Sequence, residues 1–222
     1  MMSMFDFPDD LRGIDGADLD PVVHRRPVAR VHWSKVLFDI TISLILLVPL
    51  AIVTIALLVL NPFLNAGSLI YVQRRMGQNC APFTAIKFRT MSSGQACARG
   101  AFDPLEIDRI SGLGRVLRKT RLDELPQIIN VLRGEMSLIG PRPDCFDHAC
   151  VYLKEVPGYA ARHRIIPGIS GFAQTEVGYV DGKDGVRRKV AADLYYVAHA
   201  GFWLDLWIAW RTICVVLGRK GS

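Results

Sequence analysis

The chain has 222 residues, which is enough for one domain of ordinary size with a small appendage. Half of the residues are hydrophobic and the mean hydropathy is +0.24, while the formal net charge is +6. Because the apolar excess lies in one segment, this combination favours a membrane surface or phosphate-bearing ligands over duplex DNA. The five cysteines show no CxxC spacing, which indicates reduced thiols or buried small residues rather than a zinc site.

The net charge changes from negative to positive within the first 35 residues. Residues 1–23 hold six aspartates and one arginine, and we expect a disordered acidic tail there. They lack the basic start and the cleavage site of a secretory signal. Residues 24–35 then carry four arginines or lysines with Trp33, a composition that suits anionic lipid headgroups.

Residues 40–60 form a run of twenty-one residues without a charge, long enough to cross a bilayer as one helix. Pro49 stands at its midpoint and removes one helical hydrogen bond, so the sequence predicts two arms that enter and leave one leaflet. Both flanks are basic, which places both on the cytoplasmic side. The alternative is a transmembrane anchor with a proline kink. Asp39 is predicted to stay at the interface, paired with Lys35.

Two apolar strands are predicted next, over residues 67–73 and 83–91, with a turn between them that makes a hairpin. Lys87 and Arg89 share one strand face by the two-residue period, which makes them a candidate phosphate clamp. An ordinary solvated strand face explains the same pattern. Residues 108–120 are predicted to form a short turn and then either a helix or an extended segment, which brings Arg118 to the acidic pair that follows.

The adjacent carboxylates Asp123 and Glu124 are the centre of the candidate site. Pro126 is tolerated in a first helical turn, so we predict a helix over residues 124–133 with Asp123 near its N-cap. That end of a helix favours phosphates and divalent cations. Two glycines and two prolines in residues 134–143 predict a rigid turn that presents Arg142. Taken alone, the acidic pair is also explained as a solvated helix start.

The remaining chain is predicted to be mostly helical. An amphipathic pattern covers residues 145–164 with an interruption at 157–158, and a glycine-rich turn follows at 167–174. The segment around Asp181 and Asp184 has the composition of a mobile loop. Residues 199–217 repeat tryptophans at helical spacing, which predicts a helix lying in the membrane plane, with a core helix as the alternative.

Four motifs occur in the order seen in the bacterial sugar transferase family, the monotopic phosphoglycosyl transferases. They are the strand that ends at residues 87–91, the acidic pair in residues 122–127, the turn over 137–143 and the turn over 167–174. The resemblance extends from about residue 33 to the end of the chain. It implies transfer of a sugar-1-phosphate from a UDP-sugar to polyprenyl phosphate, with UMP released, at the cytoplasmic face of the bacterial inner membrane.

The resemblance also implies roles for individual residues. Asp123 matches the nucleophile that forms an acyl-phosphate intermediate, and Glu124 matches the ligand of a Mg²⁺ cofactor. Lys87, Arg118 and Arg142 match phosphate-handling residues. Gln174 is carried over as a further binding residue, and Arg89 as the neighbour of Lys87 on its strand. The expected pathway is exopolysaccharide, capsule, O-antigen or glycoconjugate assembly.

The sequence departs from the family pattern at three positions. Cys80 stands where glycine is frequent, and Ser170 and Phe172 stand where threonine and tryptophan are usual. The serine keeps the hydroxyl group, whereas Phe172 lacks the indole N–H, a change that we expect to alter contacts to sugar or uridine.

The predicted fold class is mixed α/β and helix-rich, in three parts. An acidic tail covers residues 1–23, a basic strip with a re-entrant hairpin covers 24–62, and a cytosolic catalytic domain with a C-terminal interfacial helix covers 63–222. Two other functions were weighed: a nucleotide-sugar pyrophosphate hydrolase, and a membrane-bound adaptor or nucleic-acid binder. The adaptor would not need the acidic pair, so nucleic acid is not an expected partner. Membrane lipids are expected partners; the sugar and oligomeric state stay open, with a homodimer as one option.

Overall fold

The computed structural model describes residues 33–65, 67–91, 100–103, 107–178 and 182–217. The acidic tail at 1–23 and the basic residues up to 32 lie outside the described residues. The described elements, in chain order, are α1 (Trp33–Leu64), β1 (Ile70–Met76), β2 (Pro82–Phe88), α2 (Gly112–Lys119), α3 (Ile128–Leu132), β3 (Ser137–Ile139), α4 (Phe146–Glu155), β4 (Gly168–Ser170), α5 (Phe172–Glu176), α6 (Gly182–His199) and α7 (Phe202–Leu217). Short 3₁₀ turns join several of them, and the result is the mixed, helix-rich fold that the sequence predicts.

Helix α1 is one continuous element of 32 residues with Pro49 and Pro62 inside it. The prediction that Pro49 divides the segment into two arms is therefore wrong. A proline removes one hydrogen bond, and a helix absorbs that loss when packing holds its two sides in place. By length and composition alone, α1 is long and apolar enough to cross a membrane.

One stripe of α1 packs along the catalytic body at helical spacing. Phe38, Ile42 and Leu46 contact one part of the core, and Leu50, Val53 and Leu57 contact another. The opposite face exposes many large apolar side chains. A helix that is apolar on its outer face as well is suited to lipid contact rather than to water.

Strands β1 and β2 form the antiparallel hairpin that the sequence predicts, with Val72 opposite Ile86 and Tyr71 opposite Lys87. The strands lie at 70–76 and 82–88, so the predicted bounds of β1 were three residues early. In the connection, Asn79 and Cys80 adopt positive φ angles of 55° and 59°. Cys80 is thus in the conformation that glycine adopts most readily, the residue frequent there in the family.

Strands β3 and β4 form a parallel pair, with Ser137 opposite Gly168 and Ile139 opposite Ser170. The backbones approach so closely that a Cβ atom on Gly168 would lie 2.1 Å from the backbone nitrogen of Gly140. Glycine is therefore required at this crossing. The pair holds the turn after β3 against the turn after β4.

Helices α4, α6 and α7 also enclose the core. The interruption predicted at residues 157–158 is confirmed, since α4 ends at Glu155 and a 3₁₀ turn begins at Tyr159. The predicted mobile loop is wrong from Gly182 onward, because α6 begins there and buries Val186, Val190 and Leu194. Apolar residues at this helical spacing outweigh the two glycines near its start.

Helix α7 combines the two alternatives considered for it. Leu204 and Ile208 are buried in the core, whereas Trp203 is 69% exposed and Trp210 is 61% exposed. Trp207 packs against Phe172, with ring centroids 6.0 Å apart. The helix therefore has a core face and a tryptophan-bearing outer face.

Candidate active site

The acidic pair lies in a 3₁₀ turn, Leu122–Gln127, that runs directly into α3. Arg121, just before this turn, has a positive φ of 59° and reverses the chain. The first part of the helix predicted over 124–133 is thus a 3₁₀ turn rather than an α-helix. Asp123 lies inside this turn rather than at the N-cap. Pro126 fits within the turn as predicted.

Glu124 is held by cationic side chains from three parts of the chain. Lys87 Nζ lies 3.0 Å from Oε1, and Arg142 binds both carboxylate oxygens, with Nη1 3.0 Å from Oε2. Arg121 Nη1 lies 3.7 Å from Oε2. Burial alone would raise the pKa of Glu124, but Arg142 and Lys87 hold it well below the ordinary value. Glu124 is therefore ionised, with both oxygens engaged.

Asp123 differs from its neighbour although both are buried. Its side chain is 8% exposed, and among the described residues it accepts no hydrogen bond. Burial and the adjacent charge of Glu124 raise the pKa of Asp123, while Lys87, Arg142 and Arg118 oppose that rise. A buried carboxylate without hydrogen bonds, facing cations, has the properties of a nucleophile toward phosphorus.

The structure brings Lys87 and Arg142 to Glu124 and places Arg118 beside them. Burial lowers the pKa of Lys87 to about 8, although Glu124 acts against that shift. Arg118 Nε donates to Thr90 Oγ1 at 2.9 Å, and its charge is among those that lower the pKa of Asp123. These cations supply a field suited to phosphate groups.

Arg89 lies elsewhere. It follows the last residue of β2, and its Nε donates to the carbonyl of Ser68 at 2.7 Å while Nη2 donates to the carbonyl of Asn65. These bonds fasten the C-terminal end of α1. The prediction that Lys87 and Arg89 form one clamp on a strand face is not supported by these positions, because the strand ends between them.

Gln174 and Phe172 lie on α5. The Gln174 side-chain oxygen is buried and has no hydrogen-bond partner within the part of the chain that the structure describes. Phe172 is fully buried and stacks on Tyr195, with ring centroids 5.2 Å apart. The aromatic face of Phe172 is therefore occupied by the core, which argues against the predicted contact with sugar or uridine. Ser170 keeps its hydroxyl within hydrogen-bond distance of Thr212.

A second charged cluster anchors the turn that carries Arg142. Arg162 is 1% exposed, donates to the carbonyl of Arg142 at 2.7 Å, and forms ion pairs with Asp144 and Asp193. Lys189 pairs with Asp144 at 2.5 Å. Sequence analysis missed this cluster because its members are far apart in the chain. The Asp144 that follows the Pro-Arg-Pro turn was the one available signal.

The donor set for a divalent cation consists of Asp123 and Glu124. Within the described residues there is no group of three or more His, Cys, Asp or Glu side chains. Because both Glu124 oxygens are engaged by cations, the pair does not fit a metal ion held by protein alone. It fits Mg²⁺ that arrives with a diphosphate, since Mg²⁺ is commonly held by one or two carboxylates and substrate phosphates.

A comparison with protein families matches residues 30–219 to the family described as "Bacterial sugar transferase". Among curated proteins, the chain is 38% identical over 181 residues to a UDP-N-acetylgalactosamine-undecaprenyl-phosphate N-acetylgalactosaminephosphotransferase of Aeromonas hydrophila, covering 82% of this chain and 42% of the relative. It is 40% identical over 152 residues to a UDP-glucose:undecaprenyl-phosphate glucose-1-phosphate transferase of Caulobacter vibrioides, covering 67% and 57%.

A third relative matches over nearly its whole length. It is the exopolysaccharide production protein ExoY of Sinorhizobium fredii, 34% identical over 214 residues, with 89% of this chain and 90% of the relative covered. The chain thus spans about half the length of the first two relatives and most of the third.

Proposed function

The chain belongs to the bacterial sugar transferase family, and we propose that it transfers a sugar-1-phosphate from a UDP-sugar to undecaprenyl phosphate, with release of UMP. The observation that carries the proposal is the contrast between Glu124, engaged by Lys87 and Arg142, and Asp123, which accepts no hydrogen bond in the described structure. The names of two relatives specify the same class of donor and acceptor.

The reaction has two steps. An Asp123 carboxylate oxygen attacks the phosphorus bonded to the sugar, the bond to the UMP oxygen breaks, and an aspartyl-phosphosugar forms. A phosphate oxygen of the lipid then attacks the same phosphorus, which releases the Asp123 carboxylate and yields the lipid diphosphosugar. If water attacked in place of the lipid phosphate in the second step, the enzyme would be a hydrolase.

The cations around the pair offset the negative charge of the diphosphate. Lys87 and Arg142 hold Glu124 fixed and place positive charge beside Asp123, and Arg118 approaches from α2. We further propose that Glu124 would hold a Mg²⁺ ion together with the diphosphate, and the ion would neutralise charge on the phosphate oxygens.

The contacts at the two ends of α1 support a monotopic position at the cytoplasmic face of the inner membrane. Near its start, Lys35 donates to the carbonyl of Ile139 at 3.0 Å, and Asp39 accepts from Ser137 and from the backbone of Leu138. Near its end, Leu57 packs with Phe88 and Leu117, and Asn65, directly after α1, donates to the carbonyl of Arg89 at 2.9 Å. Both ends are thus fastened to one catalytic body, and a crossing helix would separate them.

These contacts also correct the predicted partner of Asp39. Lys35 pairs with Asp205 at 2.8 Å, and the Asp39 carboxylate is satisfied by β3 instead. The apolar outer face of α1 and the exposed Trp203 and Trp210 would then meet lipid together. We propose that this surface seats the site at headgroup height, where the lipid phosphate lies.

The activity is tested by measuring UMP release from a panel of UDP-sugars, with and without undecaprenyl phosphate. We expect release from at least one UDP-sugar that depends on the lipid and gives a lipid-linked product. Lipid-independent release of sugar phosphate would identify a hydrolase. No release from any UDP-sugar, by protein that is folded in detergent or nanodiscs, would refute the proposal.

The topology is tested by cysteine labelling in intact cells. In a background without native cysteines, Ser3→Cys and Arg188→Cys report the two flanks of α1. We expect both to resist a membrane-impermeant thiol reagent and to react after the membrane is permeabilised. Labelling of one position but not the other in intact cells would contradict the monotopic position.

A further inference from the structure

Asn130 is a completely buried polar residue that the proposed chemistry does not use. Its side chain is 0% exposed. Its Oδ1 accepts from the backbone N–H of Ile86 at 3.1 Å, and its Nδ2 donates to the carbonyl of Thr84 and to Glu135 Oε2, both at 2.7 Å. We propose that Asn130 is a positioning residue that sets the contact between Lys87 and Glu124.

The first step of the argument is the way Asn130 meets β2. Strand β2 pairs with β1 along one edge, where Tyr71 lies opposite Lys87. On the other edge, the Asn130 amide offers one acceptor and one donor to residues 84 and 86, as a neighbouring strand would. Strand β2 is therefore held from both sides immediately before Lys87.

The second step is the location of Asn130 in the chain. It belongs to α3, which continues directly from the 3₁₀ turn that carries Glu124. The backbone carbonyl of Asn130 also accepts from Glu135 and Met136, at 3.0 and 3.3 Å, which fixes the end of α3. One buried side chain thus joins the element that carries Lys87 to the element that carries Glu124.

The third step is what this junction controls. The Lys87 Nζ to Glu124 Oε1 distance of 3.0 Å depends on the separation of β2 and the 3₁₀ turn. Removal of the amide would take away the partners that the Ile86 N–H and the Thr84 carbonyl have on α3, so this edge of β2 would no longer be held beside the 3₁₀ turn. Asn130 touches no reacting atom and acts through Lys87. This role at the catalytic step rests on the proposed function.

The position of Lys87 can be measured without catalysis. We would label the full-length protein in nanodiscs with an amine-reactive reagent and quantify Lys87 by peptide mass spectrometry, with the exposed Lys183 as an internal reference. In Asn130→Ala, we expect Lys87 to react several-fold faster relative to Lys183. Asn61→Ala is the matched control, since it removes another buried amide bonded to a backbone carbonyl. Equal Lys87 reactivity in wild type and Asn130→Ala would overturn the proposal.

Its catalytic consequence is tested by a double-mutant cycle on kcat and KM for the UDP-sugar. If Asn130 acts through Lys87, Asn130→Ala should slow wild type clearly but slow Lys87→Met by no more than about twofold, because coupled residues are not additive. We expect Asn130→Ala to lower kcat and to leave KM nearly unchanged. Equal fold-losses in both backgrounds would contradict the proposal. Asn61→Ala should give equal fold-changes in both backgrounds.

Two outcomes separate this inference from the proposed function. Faster labelling of Lys87 in Asn130→Ala, without UDP-sugar turnover by wild type, would support the positioning and refute the activity. Unchanged labelling of Lys87 with normal wild-type turnover would refute the positioning role and support the proposed activity. If Asn130→Ala fails to fold, Asn130→Asp serves instead, since it keeps the shape and the acceptor but loses both donors.

Discussion

Two charged clusters in this protein use the same side chains and differ in what they leave available. In one, Glu124 is held by Arg142 and Lys87; in the other, Asp144 is held by Arg162 and Lys189. Each also contains a second carboxylate. In the buried cluster that carboxylate, Asp193, forms an ion pair with Arg162 at 2.7 Å, whereas in the candidate site Asp123 forms no ion pair within 4 Å among the described residues.

The balance of charge differs as well. Asp144 and Asp193 face Arg162 and Lys189, so the buried cluster has equal numbers of each sign. Asp123 and Glu124 face more cations than the pair can neutralise: Lys87, Arg118, Arg121 and Arg142. A structural cluster balances its own charges, while a site for phosphate keeps an excess of positive charge. The following experiments test that distinction.

The largest effect is expected for Asp123→Asn. The amide keeps the size and polarity of the side chain but cannot attack phosphorus, so activity should fall by roughly 10⁴-fold or more, as for loss of a covalent nucleophile. Intact mass of enzyme incubated with UDP-sugar and no lipid should show a sugar-phosphate adduct in wild type only. Glu124→Gln is the matched control and should still form the adduct, more slowly. An adduct that persists in Asp123→Asn would remove Asp123 as the nucleophile.

The second effect compares two arginines. Arg162→Gln leaves Asp144 and Asp193 facing Lys189 without their arginine, and breaking a buried pair in this way costs about 3–5 kcal/mol of unfolding free energy. For a chain of this size, we expect a Tm lower by roughly 10 °C in thermal melts.

Arg142→Gln makes the same chemical change in the candidate site, where Lys87 and Arg121 remain beside Glu124 and the Arg142 side chain is partly exposed, unlike that of Arg162. We expect a drop in Tm well under half of that for Arg162→Gln, together with a much larger loss of turnover per folded molecule. Equal losses of Tm for the two variants would mean that the clusters do not differ in the proposed way.

The third effect concerns the geometry of Arg142 rather than its charge. Arg142→Lys keeps a cation near Glu124 but replaces a two-pronged contact with a single ammonium group. We expect kcat to fall by about 100-fold, the scale for losing one preorganised donor to a developing charge. Lys189→Arg changes the other cluster and should leave kcat within about threefold. A kcat for Arg142→Lys close to wild type would show that charge alone is sufficient there.

The candidate site was predictable to the extent that it is local in sequence. Asp123, Glu124 and Pro126 are adjacent, and the glycines and prolines near Arg142 limit its path, so their positions followed from turn chemistry. Arg89 was misplaced because the two-residue period applies only while a strand lasts, and β2 ends at Phe88. Asn130 and Arg162 could not be found from the sequence, since their roles depend on contacts between distant segments.

The same limit explains the differences in the fold. The Pro49 signal is local, but whether a helix continues through a proline depends on packing along its whole length. The Lys35–Asp39 pair was inferred from helical spacing, whereas β3 and Asp205 offer both residues better partners. Hairpin pairing and the interruption at residues 157–158 were predicted because both follow from nearby residues.

The smallest effect is expected at His163, which lies beside the buried cluster. Its Nδ1 donates to the carbonyl of Gly77 at 3.1 Å, and its ring packs 5.1 Å from that of Tyr159. Burial and the charge of Arg162 lower the pKa of His163 to about 3, against about 6.5 in an unfolded chain. Between these two pKa values the unfolded state binds the extra proton, so His163 reduces stability as the pH falls from about 6.5 toward 3.

In the variant His163→Asn, the amide keeps a donor for the carbonyl of Gly77 but does not titrate. Relative to His163→Asn, the wild type should therefore lose about 2 kcal/mol more of its unfolding free energy between pH 7 and pH 5, at about 1.4 kcal/mol per pH unit below the unfolded pKa. In thermal melts this is roughly 5 °C of additional decrease in Tm. A slope for His163→Asn equal to that of wild type would mean that His163 is protonated in the folded protein, and the charge balance assigned to the buried cluster would have to include it.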